Sequence, residues 1–276
     1  MKKAQLIHVL GDVHGDWRSL NTFINKELRT SRAFRDCASD YDEMEVILLQ
    51  AGDFGYWPHM HGREGMAGRG KIWDQHGIKN RVSGIKDGLV KIYWCDGNHE
   101  NHDVLDSLEE QNPGRPFIPI MEGVYYAPFG ATLDMLDGTR VMFCGGAESI
   151  DKDWRVPGES WWPQECIDDT DMAHLPNPAD PARGKIDWIV SHTCPSFFNL
   201  GKIGQGDKER DPSKRRLDEI FTAFRPSRWW FGHYHDYVQG RHKDCLWTLL
   251  SGSHTGSRWV ETLPLLVNKE GASGVL

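Results

Sequence analysis

Gln5-Leu6-Ile7-His8-Val9-Leu10-Gly11-Asp12-Val13-His14-Gly15 is an apolar run of strand length that stops at a turn and then presents an aspartate and a histidine. Branched apolar residues closed off by Gly-Asp read as a strand followed by a tight loop. The same arrangement recurs along the chain. Residues 44–51 end in Gly52-Asp53, and residues 89–95 end in Asp96-Gly97-Asn98-His99-Glu100. Residues 186–190 end in Ser191-His192, and residues 229–231 in Gly232-His233-Tyr234-His235.

Segments of helical period separate these runs. Residues 16–30 place Trp17, Leu20, Phe23, Ile24 and Leu28 on one face, and residues 213–224 do the same with Leu217, Ile220, Phe221 and Phe224. Residues 71–86 and 102–111 carry weaker versions of the pattern. Residues 123–145 contain three short apolar runs, with Asp137-Gly138 as a hairpin turn, and residues 237–260 also read as strands. Strands alternating with helices predict an α/β fold. The expected architecture is a four-layer α/β/β/α sandwich, with two facing mixed β-sheets flanked by helices. One domain is expected over residues 1–276, with loop insertions near 55–70 and 149–185.

Bulk composition narrows the classes of function. The chain is 39% hydrophobic and 26% charged, with no apolar stretch of membrane-spanning length. The basic start Met1-Lys2-Lys3 leads into a run broken by Gln5 and His8, which is not the pattern of a secretory signal, so a cytoplasmic location is expected. The six cysteines are scattered without a paired motif, so packed, reduced thiols are expected. A net charge of −8 argues against broad nucleic-acid binding, although bound cations can still make a local phosphate site.

In sheets of this kind, ligands bind at the carboxyl ends of the strands. Here every such end offers Asp, Asn or His. Imidazole mixed with carboxylate suits Mn, Fe, Zn, Co or Ni, and the lack of thiolate disfavours a structural zinc site. Seven residues are the candidate metal ligands: Asp12, His14, Asp53, Asn98, His192, His233 and His235.

Taken in order, Gly11-Asp12-Val13-His14, Gly52-Asp53, Gly97-Asn98-His99-Glu100, Ser191-His192 and Gly232-His233-Tyr234-His235 resemble the five motifs of the calcineurin-like metallophosphoesterases. The resemblance runs from about residue 5 to about residue 255. It implies two divalent cations, manganese being the first choice. One would be held by Asp12, His14, Asp53 and His235, the other by Asp53, Asn98, His192 and His233, with Asp53 bridging. It also implies that His99 stands beside the substrate, as general acid or as electrophilic donor to a phosphate oxygen. The expected partner is a phosphoester small molecule or nucleotide.

One branch of that family, the serine/threonine protein phosphatases, carries Gly-Asp-x-x-Asp-Arg-Gly. Here the stretch reads Gly52-Asp53-Phe54-Gly55-Tyr56-Trp57-Pro58, and the arginine is missing. A dianionic monoester gains more from a bidentate arginine than a singly charged diester does, which tilts the expectation to phosphodiesters, cyclic nucleotides among them. Arg63, Arg81 or Arg155 could supply a clamp from a loop. The alternatives are a phosphomonoesterase or protein phosphatase of the same fold, and a binding scaffold that has lost catalysis.

The other histidines have plainer readings. His8 is expected in the core; His59, His61 and His76 fall in the loop after Asp53; His102, His174 and His242 are expected to be ordinary. His254 lies within reach of the site on a late strand. Trp57 is first a core residue, with stacking on a base as the less favoured alternative.

Overall fold

The computed structural model describes residues 2–58, 77–203, 211–255 and 258–268, and within them all five apolar runs are strands. The first three are β1 (Lys3–Leu10), β2 (Glu43–Gln50) and β3 (Val90–Trp94). Then come β4 (Ile118–Met121), β5 (Val124–Tyr126), β6 (Thr132–Asp134) and β7 (Arg140–Cys144). The chain continues through β8 (Trp188–Ser191), β9 (Arg228–Phe231), β10 (Val238–His242) and β11 (Cys245–Leu249), then β12 (Val260–Thr262) and β13 (Leu266–Val267).

One sheet has the order β12-β1-β2-β3-β5-β4, with β13 also paired to β1, and the other has the order β10-β11-β9-β8-β7-β6. In the first, β1, β2, β3 and β5 are parallel, with Ile7 opposite Ile47 and Leu48 opposite Ile92. In the second, β11, β9, β8 and β7 are parallel. The remaining neighbours pair antiparallel, so both sheets are mixed. Parallel pairing is what matters for function. It brings the carboxyl ends of β1, β2 and β3 to one edge of the first sheet, and those of β8 and β9 to one edge of the second.

Strand alternation sorts side chains into three apolar layers. From β1, Ile7 and Val9 face the second sheet, where they join Leu49, Val141, Phe143, Val190 and Trp230. From the same strand, Leu6 and Leu10 face outward to Trp17, Leu20, Phe34 and Leu105. On the far side Trp229 and Phe231 pack with Leu217, Ile220 and Phe221. Three cores between four layers make the α/β/β/α sandwich. Burying large aliphatic and aromatic side chains at about 25 cal/mol per Å² drives this layering.

The outer layers hold α1 (Trp17–Thr22), α2 (Arg32–Asp40) and α3 (His102–Gln111) against the first sheet, and α5 (Pro212–Phe224) against the second; α4 (Asp169–Ala173) is a short helix between them in sequence. The segment predicted over residues 16–30 is helical but changes pitch, running as α1 and then as π-helical turns over Phe23–Leu28. Asn101 caps α3 by accepting the Val104 N–H, and Asp211 caps α5 ahead of Pro212.

The helix predicted over residues 71–86 is a correction. Residues 71–76 lie outside the described part, and 77–86 form turns with an isolated bridge from Arg81 to Leu89. Buried Asn80 donates to the carbonyls of Val90 and Glu122, which ties this stretch along β3 in place of a helical ladder. The predicted Asp137-Gly138 turn does join β6 to β7. It is closed by Met135 N–H donating to Thr139 C=O, with Gly138 at φ +88°. Among the insertion residues 149–185, the acidic run 168–171 is a capping box that starts α4. All six cysteines are free thiols.

Phe143 is fully buried between the two sheets, so Phe143→Ala should lower the unfolding free energy by about 3–5 kcal/mol, read by urea denaturation. A loss under about 1 kcal/mol would mean that the inter-sheet layer can collapse around the gap.

Candidate metal centre

The loops that leave β1, β2, β3, β8 and β9 meet at one point, and Asp53 stands at its centre. Its carbonyl accepts the N–H groups of Val13 and His14 at 3.0 and 2.7 Å. Its Oδ1 accepts His99 N–H at 2.9 Å, and its Oδ2 lies 3.7 Å from His14 Nε2 and 3.4 Å from His192 Nε2. Asp12, fully buried, receives His233 N–H on both oxygens at 3.0 and 3.1 Å and lies 2.9 Å from His235 Nε2.

Two donor sets share Asp53. In the first, ligand atoms of Asp12, His14, Asp53 and His235 all lie within 4.8 Å of one another. His14 Nε2 and His235 Nε2 face each other at 2.8 Å. In the second, Asn98 Oδ1 is 2.9 Å from both His192 Nε2 and His233 Nδ1, and His192 Nε2 is 3.4 Å from Asp53 Oδ2. Metal–ligand bonds of about 2.1 Å put neighbouring ligand atoms about 3.0 Å apart in an octahedral site and about 3.4 Å apart in a tetrahedral one. The observed spacings fit around a cation in each set.

Backbone strain is concentrated here. His14, Asp53, His233 and His235 all adopt left-handed conformations, with φ of 50°, 52°, 71° and 51°. Each costs about 1–3 kcal/mol and persists only where the surroundings impose it. The glycines of the motifs serve close approach. A Cβ on Gly97 would collide with Asp53 Oδ1, and one on Gly232 with Asp12 Oδ1.

Outer groups hold the inner ones. His192 Nδ1 lies 2.8 Å from the Ala51 carbonyl, to which only its N–H can donate, so Nε2 is turned to the cluster. Asn98 Nδ2 donates to Ser149 Oγ at 3.0 Å, which turns Oδ1 to the histidines. Ser149 Oγ in turn donates to Glu165 Oε2 at 2.8 Å, and Glu165 Oε1 accepts Trp161 Nε1–H. Glu100, fully buried, accepts Gly55 N–H at 2.8 Å and Gly97 N–H at 2.6 Å, locking the second and third motif loops together. Gln50 does the same for the first two by donating to the carbonyls of Gly11 and Gly52.

Charges in the cluster are strongly coupled. Burial opposes ionisation of Asp53, but the charges of His192, His99 and His14 outweigh it and hold the carboxyl well below its usual range. Burial likewise opposes charge on His192, yet the Asp53 carboxylate pushes it up to about 10. A proton on His192 thus supplies the positive charge this pocket demands. Cation binding would displace it. His14, His233 and His99 are pushed below the usual histidine range, first by burial.

Residues 6–237 match the model of the calcineurin-like phosphoesterase family. The chain belongs to that family. Membership gives it the class of a metal-dependent phosphoester hydrolase and leaves the substrate open. Among solved structures, the chain is similar to the phosphopantetheinyl hydrolase PptH from Mycobacterium tuberculosis, at 14% identity over 98% of this chain and 99% of that one, with a TM-score of 0.40. It is also similar to a candidate 5'-nucleotidase from Staphylococcus aureus, at 14% identity over 100% of this chain and 56% of that one, with a TM-score of 0.45. Likenesses of this size bear on neither substrate nor mechanism. No curated protein matches the chain. Among the described residues, no helix is long and apolar enough to cross a membrane.

All seven candidate ligands and His99 come together at this point. Of the candidate clamps, Arg155 lies beside His99, Arg81 sits on the surface paired with Glu122 and so away from the site, and Arg63 lies outside the described residues. His59, His61 and His76 also lie outside them. His8 is buried beside Thr262, and His102, expected to be ordinary, is buried with Nε2 3.1 Å from the Gly97 carbonyl. The His254 ring centroid is 4.8 Å from that of His235, at the rim of the first donor set. Trp57 is walled in near Trp162, its Nε1–H donating to the His99 carbonyl, so it is a packing residue and not a platform for a base. Sequence reading missed Ser149, Glu165 and Gln50, and assigned no role to Glu100.

Burial lifts the Glu165 carboxyl to about 7, against the opposing hydrogen bonds from Ser149 and Trp161. Between its ordinary 4.5 and about 7, the folded protein keeps a proton that the unfolded chain releases, so this group's contribution to stability falls as pH rises through that window. In chelator-treated protein, the melting temperature of wild type relative to Glu165→Gln should therefore decline from pH 4.5 to pH 7. A difference that stays flat, or grows, would refute the buried protonated carboxyl.

Proposed function

We propose that this protein is a dinuclear metal-dependent phosphodiesterase acting on a nucleotide-like substrate, with cyclic nucleotides in its range. The observation that carries the reading is that the two donor sets share Asp53 Oδ2, the one oxygen within 3.7 Å of a histidine from each set. Asp12, His14, Asp53 and His235 would hold one cation, and Asp53, Asn98, His192 and His233 the other. When bound, such a pair supplies Lewis-acid charge to phosphate oxygens and a water acidic enough to ionise near neutral pH. Manganese is the first candidate, because mixed nitrogen and oxygen donors without thiolate suit it, as they suit Fe, Zn, Co or Ni.

The chain's own residues supply orientation and charge. Asp53 stays anionic in a buried place because three histidines surround it. Asn98 is aimed by Ser149 and Glu165. His99 faces the same cluster, its ring centroid 5.5 Å from that of His14, and is the group placed to donate to a phosphoester oxygen.

The preference for diesters rests on the arginine. The second motif lacks one, and Arg155 is already engaged by the carboxylate of Asp151, by two backbone carbonyls and by His99. An arginine so engaged is a poor bidentate clamp for a dianionic phosphate.

Wild type should bind two equivalents of Mn²⁺ per chain by titration calorimetry, and Asp53→Asn should lose both tight sites. Its activity should fall by more than about 100-fold, beyond the about 10–100-fold that outer-shell losses cost, and by more than in His14→Ala. At most one bound equivalent in wild type would exclude the dinuclear reading. Rates at fixed Mn²⁺ on bis-p-nitrophenyl phosphate, p-nitrophenyl phosphate and cyclic nucleotides should favour the diesters. A higher kcat/KM on the monoester would overturn the substrate assignment and leave the metal reading intact.

A further inference from the structure

Arg155 belongs to no motif, yet it is only 8% exposed and its guanidinium ends at His99. Nε pairs with Asp151 at 2.7 Å, Nη1 donates to the carbonyls of Asn98 and Ser160 at 3.2 and 3.3 Å, and Nη2 lies 2.9 Å from His99 Nε2. These four contacts fix the plane of the group.

Hydrogen-bond accounting at His99 follows from that placement. A guanidinium carries only donors. Nε2 of His99 must therefore accept, and in a neutral ring the proton then sits on Nδ1. That Nδ1 is buried and has no hydrogen-bond partner in the protein. A buried N–H left unpaired costs about 1–3 kcal/mol, an expense that a ligand can recover. The ring also stands beside His14 at 5.5 Å, and its backbone N–H is fastened to Asp53 Oδ1. The unpaired donor therefore lies alongside the two donor sets.

We propose that Arg155 is a positioning residue: it holds His99 in the Nδ1–H tautomer, so that the ring presents a neutral hydrogen-bond donor to an oxygen of the bound phosphoester. The proposal rests on the metallophosphoesterase reading above. It assigns the donor role to His99 in place of the general-acid role. It also gives residues 149–161 a function, because Asp151, Arg155 and Ser160 then form a brace behind a reacting group.

A double-mutant cycle on the full-length, Mn²⁺-loaded protein with bis-p-nitrophenyl phosphate tests this. Arg155→Met should lower kcat by about 10–100-fold with little change in KM, as loss of an outer partner does. Arg155→Lys, which keeps a charged donor, should lose less. In a His99→Ala background, Arg155→Met should change kcat by less than about 2-fold, because its effect passes through His99. Losses that multiply, or a rise confined to KM, would mean that Arg155 grips the substrate itself and would overturn the proposal. A single variant with wild-type rates would do the same. Histidine ring ¹⁵N spectroscopy on zinc-loaded wild type gives a reading that needs no variant: an Nδ1–H His99 supports the assignment, and an Nε2–H or doubly protonated ring defeats it. Wild type inactive on every phosphoester would sink the enzymatic reading, and the ring spectra would still judge Arg155.

Discussion

The structure depends on a buried carboxylate to which several loops are fastened. Asp53 uses its carbonyl to hold the loop after β1 and its Oδ1 to hold the loop after β3, while Oδ2 faces His14 from the first sheet and His192 from the second. A charge placed there without compensation would cost several kcal/mol. Histidines on every side supply the compensation. The same arrangement that satisfies Asp53 thus gathers nitrogen donors from distant parts of the chain into one volume.

Around this point the fold divides its labour. Three apolar layers supply stability from burial, and the site consumes part of it in left-handed backbone at His14, Asp53, His233 and His235. Gln50 and Glu100 explain how the strain is sustained. Each is fully buried and each hydrogen-bonds to two loops, so no one loop can relax without breaking a buried bond in another.

Much of this was legible in the sequence because parallel strands are short, apolar and punctuated by turn residues at the functional edge. The strand ends at Asp12, Asp53, Asn98, His192 and His233 carry both the fold signal and the chemistry, so one pattern reports both. What was not legible depends on contacts between segments that have no period of their own. Ser149 and Glu165 lie in an irregular stretch, and only the folded chain brings them to Asn98. The stretch over residues 71–86 misled because its apolar spacing mimics a helix, while the buried Asn80 side chain ties it to β3 and β5 neighbours through backbone carbonyls. Trp57, two residues from Gly55, could have faced either way; the His99 carbonyl decides it.

The placement of Arg155 bears on how such a site can diverge. An arginine two residues after the second motif's aspartate pair, as in the protein phosphatase branch, reaches the phosphate directly. Here the cation comes from a different segment, arrives behind His99, and is held by Asp151 and two carbonyls before it meets the ring. Its charge is partly spent on Asp151, and its directional donors are what remain. The arginine therefore acts on geometry more than on field: it decides which nitrogen of His99 bears the proton. A site built this way discriminates by where a donor points, a demand that a singly charged phosphodiester can meet without the bidentate grip that a dianionic monoester rewards.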